Sequence, residues 1–202
     1  MGKVAQRRAR VIDGIVAAAT GVMAADGAAS LTLGEVARQV GMRTPSLYGY
    51  FDGRAALCDE IFRRGWLDYG RLVTDLEVDE DTDLAEQLRR GLLDAVTWAN
   101  QNRAAAELMF WRPIPGWQPS PEAFAPAVEV VARTGQIVRD AQSVGLLRAD
   151  ADVEEMTEVL GAIFSGVISQ QLSNEPGVAA TSGRISRHAT AFAQLFLSRY
   201  GA

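Results

Sequence analysis

The sequence predicts an all-α protein of about nine helices, in which a small N-terminal three-helix bundle is joined by one long helix to a larger helical body. Two observations carry that prediction. Apolar residues recur at i, i+3, i+4 and i+7 along most of the chain, and almost nowhere do they alternate with polar ones as a half-buried strand requires. Gly, Pro, Asn and Asp cluster between these periodic segments. With 202 residues, 48% of them hydrophobic and 22% charged, the chain can bury a core without disulfides or metals.

The first helix is predicted over about Arg8–Ala25, with Val11, Ile12, Ile15, Val16, Ala19 and Met23 on one side and Asp26-Gly27 as its stop. The second spans about Leu33–Val40, the third about Pro45–Phe51 and the fourth about Gly53–Leu76. Glu77–Asp83 is acidic and polar and reads as a surface connector. Helix five covers about Leu84–Gln101 and a short sixth about Arg103–Trp111. The run Pro113–Pro121 holds four prolines and a glycine, so it breaks the helical pattern. Helix seven enters near Ser120 or after Pro126 and ends at Gly145. Asp152 caps helix eight, about Val153–Ser173, and helix nine covers about Ser182–Tyr200. The domains expected are 1–53 and 54–202, with helix four, about 53–76, linking them.

The densest signal lies between Thr32 and Arg54. Thr32-Leu33-Gly34-Glu35 has the spacing of a capping box, in which hydroxyl and carboxylate each satisfy an orphan amide. Leu33, Val36, Ala37 and Val40 form a compact apolar stripe. Gly41 supplies a stop and Met42 a buried turn residue; Thr44 is placed to cap the next helix, with Pro45 at its first position. Two short helices joined by a tight glycine turn are a helix-turn-helix, whose second helix can enter the major groove. On that helix Leu47 and Phe51 should face the core, leaving Ser46, Tyr48 and Tyr50 outward with hydroxyls suited to phosphates or base edges. Asp52 is expected to cap helix four. Arg54 in its first turn opposes the helix dipole, which favours a phosphate as its partner.

Residues from about Arg8 to Trp66 resemble the TetR family of bacterial transcriptional regulators. Leu31-Thr32-Leu33, Val36-Ala37, Gly41-Met42, Leu47-Tyr48-Gly49-Tyr50-Phe51 and Ala56-Leu57 carry the likeness. The resemblance implies a homodimer on a palindromic operator, with Arg43, Thr44, Ser46, Leu47 and Tyr48 near bases and Thr32, Tyr50 and Arg54 near phosphates. Leu33 belongs to the same DNA-binding set. Gly49 departs from the bulkier residue many members place there, so any contact of that side chain is lost. The arm Arg7-Arg8-Arg10 reads either as an extra backbone contact or as a frayed, solvated terminus. Charge fits a DNA-binding head: residues 1–50 hold six basic and three acidic residues, a net +3, so a chain of net charge −5 carries −8 elsewhere.

The resemblance further implies that the chain beyond about residue 68 is a ligand-binding and dimerisation domain. Met156, Leu160, Ile163, Val167, Phe192 and Phe196, on the last two long helices, are candidates for a two-fold interface; the alternative is that they line the core of one subunit. An aromatic cluster of Trp98, Phe110, Trp111, Trp117 and Phe124, with Met109, suggests a cavity beside the proline-rich loop, with Phe164 and Gln171 as further candidates. Asn100, Gln101, Arg112 and Gln170 could orient a ligand there. For each aromatic taken singly, filling the core is the better expectation. The composition favours an apolar or aromatic effector.

No cofactor or metal is expected and no enzyme is read: His188 is the only histidine, too few for a histidine metal site or a catalytic triad. Cys58 is the only cysteine and is expected as a plain core residue. No apolar run approaches the ~20 residues that cross a bilayer, and MGKVAQRRAR lacks a secretory apolar core, so no membrane partner and a cytoplasmic place are expected. The function expected is a repressor released from operator DNA by a small, largely apolar effector. The alternatives are a same-family activator or partner-controlled regulator, and a cytosolic helical carrier of apolar molecules.

Overall fold

A computed structural model describes residues 2–202. Among them are nine α-helices, two short 3-10 turns and one isolated antiparallel bridge between Leu147 and Gly201. The chain forms two compact units. One comprises the chain up to Gly65 together with Arg103–Ala125, the other Trp66–Asn102 together with Pro126–Ala202.

The first unit contains α1 (Lys3–Asp26), α2 (Leu33–Gln39), α3 (Thr44–Leu47), the start of α4 (Arg54–Thr74) and α6 (Arg103–Phe110). Ile15, Val16, Ala19, Val22 and Met23 form the buried stripe of α1, which meets α2 and α6. Helix α4 adds Leu57, Cys58, Ile61 and Phe62, all buried. Phe62 is the largest fully buried side chain; Trp117 meets its ring edge-on at 5.7 Å and Phe124 stacks on it at 6.0 Å. Trp117 donates its indole N–H to Asp59 Oδ1 at 2.9 Å, and Ser120 N–H reaches the other oxygen of that carboxylate. The proline-rich loop is thereby tied to α4. Gly65 sits where α4 and α6 come closest: a Cβ there would lie 2.6 Å from Met109 Sδ.

The second unit is built around α5 (Leu84–Gln101), α8 (Val153–Asn174) and α9 (Ala189–Tyr200), with the later parts of α4 and α7 (Pro121–Ser143). Its core includes Leu84, Val138, Leu147, Met156, Leu160, Phe196 and Tyr200. Asp83 and Asp152 cap α5 and α8 by accepting from the amides of Glu86 (3.0 Å) and Glu155 (2.8 Å). The buried Gln171 amide donates to the carbonyls of Glu175 and Val178 and accepts from the Ser186 hydroxyl at 3.0 Å. These bonds hold the segment between α8 and α9.

Several sequence expectations are corrected. Helix α1 starts five residues earlier, so Arg7, Arg8 and Arg10 lie on a helix and are not a frayed arm. Helix α3 stops at Leu47, whose carbonyl accepts from both Tyr50 N–H and Phe51 N–H; Gly49, a poor helix former, sits in the turn they close. Helix α9 begins at Ala189, because Ser186 is held by Gln171 and Gly183 N–H closes a turn onto Ala179 O. Helix α7 takes the earlier of its two entries, with Ser120 Oγ accepting from Ala123 N–H, and carries Pro126 within it. The dimer candidates Met156, Leu160, Val167 and Phe196 are buried within the subunit itself, since the apolar arcs of α8 and α9 close against α5 and each other. Ile163 and Phe192 are half-buried. Gly161, Ala162 and Gly166 on α8 stay exposed, as does Leu195 on α9 at 64%. Among the described residues no helix is long and apolar enough to cross a membrane.

Replacing Phe62 by Ala removes a fully enclosed ring and should cost about 3–5 kcal/mol in urea unfolding. A loss below about 1 kcal/mol would show that the loop around Trp117 collapses into the space.

Candidate nucleic-acid interface and the helical body

The α2–turn–α3 unit is set by backbone hydrogen bonds before any side chain matters. Helix α2 ends with Gly41 N–H donating to Arg38 O (3.3 Å) and Met42 N–H to Ala37 O (2.9 Å), with Gly41 at φ +66°. This is a Schellman closure, which needs a left-handed residue that glycine supplies without strain. At the other end Thr32 Oγ1 accepts from Glu35 N–H at 3.2 Å. The second half of the expected capping box is absent. Glu35 turns its carboxylate to Arg38 at 2.5 Å, and hydrogen bonding to that guanidinium holds its carboxyl below the usual range. Thr44 is the first residue of α3 and Arg43 its cap position, so Pro45 falls one place later than expected.

The apolar residues turn inward and the polar ones outward. Leu33, Val36, Ala37, Leu47 and Phe51 are buried. Met42 is only half-buried. Thr32, Arg43, Thr44 and Ser46 are exposed and Tyr48 is 56% exposed. Two members of the expected contact set therefore face the wrong way. Leu47 is 0% exposed and Leu33 is 8% exposed; both fill the bundle core and keep their side chains off the outward face. Tyr50 is half-buried, with the Arg8 guanidinium 4.9 Å above its ring, and Arg8 also donates to Gly49 O at 3.0 Å. The basic start of α1 thus braces the segment after α3, a link the sequence did not disclose.

Arginines with carboxylate partners occur in both units, Arg38, Arg63, Arg64 and Arg103 among them in the first. Arg89, Arg90, Arg71, Arg148 and Arg199 in the second unit have carboxylates within 4 Å. Among the described residues Arg7, Arg8, Arg10, Arg43 and Arg54 have none. Their charge is uncompensated and they lie on or beside the helix-turn-helix.

The expected ligand-lining residues divide between the units. Met109, Phe110, Trp111, Trp117 and Phe124 belong to the first; Trp98, Phe164 and Gln171 to the second. Trp117 is committed to Phe62 and Asp59, and Phe124 stacks on Phe62 with the Arg112 guanidinium 5.8 Å from its ring centroid. Trp98 is buried, meets Tyr69 edge-on at 5.1 Å and donates to Asp68 Oδ2 at 2.8 Å. Phe164 packs at Gly91, and Gln171 is spent on its loop. Asn100 likewise ties to the 177–178 backbone. A cavity of about 290 Å³ in the second unit is lined instead by Trp66, Leu67, Gly70 and Val73 of α4 and by Pro126, Glu129, Val130 and Arg133 of α7. None of the eight expected residues is in it. The signal was present in Trp66 and Gly70, one helical turn apart, and in Pro126, but these lie sixty residues apart in sequence and face each other only once α4 and α7 pair.

Cys58 is fully buried, and burial pushes its thiol up to about 11. Among the described residues no group of three or more His, Cys, Asp or Glu is placed to hold a metal ion.

A short helix pair closed by a glycine turn, apolar within and hydroxyl- and arginine-bearing without, on an all-helical body, defines a helix-turn-helix regulator. Residues 15–61 match the family described as "Bacterial regulatory proteins, tetR family". Solved structures share the fold over nearly the whole chain. One is a bacterial regulatory protein in the tetR family from Rhodococcus RHA1, at 22% identity, covering 95% of this chain and 97% of that one with a TM-score of 0.69. Another is SmeT, the repressor of the Stenotrophomonas maltophilia multidrug efflux pump SmeDEF, at 21% identity, 95% and 90% coverage and a TM-score of 0.69. A third is the fatty acid degradation regulator FadR from Bacillus halodurans, at 14% identity, 92% and 94% coverage and a TM-score of 0.68. Curated proteins gave no match. Residues 15–61 thus carry the DNA-binding segment of the TetR family of transcriptional regulators, and the chain as a whole shares the fold of such regulators.

The Cys58 environment makes a direct prediction. Since its pKa is raised, the thiolate is scarce at neutral pH, and iodoacetamide should modify the folded protein about a hundredfold more slowly than the urea-unfolded chain. Equal rates would show that the thiol opens to solvent in the native state.

Proposed function

We propose that the protein is a homodimeric repressor that binds a palindromic operator and is released by a small, largely apolar effector held in its helical body. The observation that carries this is the outward face of the helix-turn-helix. Arg43, Thr44, Ser46 and Tyr48 are exposed there on a fully buried apolar frame, beside arginines without carboxylate partners. Arg43 and Thr44 stand at the N-terminal end of α3, the end that approaches base edges. Thr32, Tyr50, Arg54 and the α1 arginines suit flanking phosphates, which fix register and orientation.

Dimerisation follows from the uncovered faces of α8 and α9. Gly161, Ala162 and Gly166 allow another helix close approach, and Leu195 supplies an apolar contact with no cover in the subunit. A two-fold axis there would present two α3 helices to half-sites about 34 Å apart. Helix α4 is one continuous helix with residues in both units, so an effector that favours a different placement of α4 would shift the population away from the DNA-bound spacing. Repression is the reading chosen over activation because SmeT, similar in fold, is a repressor.

The test is a titration of the protein against its own upstream intergenic DNA at several salt concentrations, with unrelated DNA as competitor. Binding should be competitor-resistant and fall steeply with salt. Arg43→Ala and Tyr48→Ala should each cost about 1–3 kcal/mol of operator affinity while leaving the thermal midpoint in place. Leu195→Glu should give a monomer in sedimentation and lose operator binding. A variant that stays dimeric and binds normally would remove the α8–α9 interface from the proposal.

A further inference from the structure

We infer that the α4–α7 cavity is a site for a small amphipathic carboxylate whose anionic end is taken by Arg133. This deepens the effector reading above and rests on it for its biological meaning. The cavity has an apolar wall of Trp66, Leu67, Val73, Pro126 and Val130, and only one cation reaches it. Its volume of about 290 Å³ is at the lower edge of the range for small-molecule sites, enough for a compact ring or a short chain.

Arg133 gives the site its polarity. It donates through Nε to Val73 O at 3.3 Å and through a terminal nitrogen to Leu76 O. Val73 O lies in the last turn of α4 and Leu76 O two residues past its end, where the helix dipole is negative and a cation is favoured. Among the described residues no carboxylate lies within ion-pairing distance of Arg133. Its partners are therefore neutral acceptors. An entering carboxylate offers two charged oxygens to the planar guanidinium, and such a bidentate charge-assisted pair is stronger than hydrogen bonds to carbonyls. Glu129, one turn back on α7, lines the same cavity and opposes an anion. Its presence limits affinity but does not reverse the preference, since it stands alone against the direct pair.

The pair would have a mechanical consequence. A guanidinium turned to the ligand leaves the Val73 and Leu76 carbonyls, at and just past the end of α4, without their side-chain donor. The end of α4, held from outside by α7, would then fray.

The experiment compares phenylalkanoates of increasing length with their neutral amides, by calorimetry on the full chain without DNA. The carboxylates should bind at least about tenfold more tightly than the matched amides. Arg133→Gln should abolish that difference, and Glu129→Gln should increase it. Hydrogen exchange at residues 70–76 should quicken when a carboxylate binds the wild-type chain and be quick already in Arg133→Gln. A merely structural Arg133 would lower thermal stability in the variant without touching the carboxylate-to-amide ratio. Equal affinity for acid and amide, a ratio indifferent to Arg133→Gln, or no binding by any member of the series would overturn the inference. A carboxylate that binds through Arg133 yet leaves operator affinity unchanged would uphold it while removing effector release from the proposed function.

Discussion

The first unit depends on the burial of Phe62. A phenyl ring enclosed by Trp117 and Phe124 removes far more apolar surface from water than any polar contact nearby can offset. Aromatic side chains bury about 150–250 Å² each, and at roughly 25 cal/mol per Å² this is several kcal/mol. The Trp117–Asp59 hydrogen bond is worth about 1 kcal/mol net and does something else: it selects one orientation of the indole. Burial supplies the energy and the carboxylate supplies the geometry. Asp68 and Trp98 repeat the device one and a half turns of α4 beyond Phe62, inside the other unit.

Electrostatics is organised differently. The ion pairs of the second unit are mostly exposed i, i+3 and i, i+4 contacts on helices, and such pairs add little stability. Arg7, Arg8, Arg10, Arg43 and Arg54, without carboxylate partners on or beside the helix-turn-helix, leave a positive potential there, so that a polyanion is oriented as it approaches. Hydrogen bonding to Arg89 and Arg90 holds the Glu86 carboxyl down near 2, so this cluster stays ion-paired well into the acid range.

What was legible in the sequence was local. Thr32 at a helix start, Gly41 at a helix stop and the Leu47/Phe51 spacing each depend on neighbours within a turn or two, and the helix-turn-helix emerged from them. Helix count and most boundaries were equally accessible. The cavity between α4 and α7 was not, because its walls lie about sixty residues apart in sequence and meet only in space. Trp98 and Trp117 are nineteen residues apart, yet they answer to Asp68 and Asp59, which lie thirty and fifty-eight residues before them. The two-fold candidates met a related limit. Periodicity identifies the residues of α8 and α9 that are covered, but is silent on whether the same chain covers them; Met156 and Phe196 are satisfied at home, and the exposed strip is marked by glycines, which no hydrophobic pattern picks out. Arg8 beneath Gly49 and Tyr50 escaped because its partner is forty-one residues away.

The first unit is discontinuous, and that bears on any attempt to transplant its specificity. A head cut at residue 53 or 65 and joined to another regulator's body would arrive without the 103–125 segment, leaving Phe62 to whatever loop the new body provides. On the proposed reading of α3, exchanging operator preference between relatives requires either that the two segments travel together or that the swap be confined to the outward residues of α3, which the core does not consult.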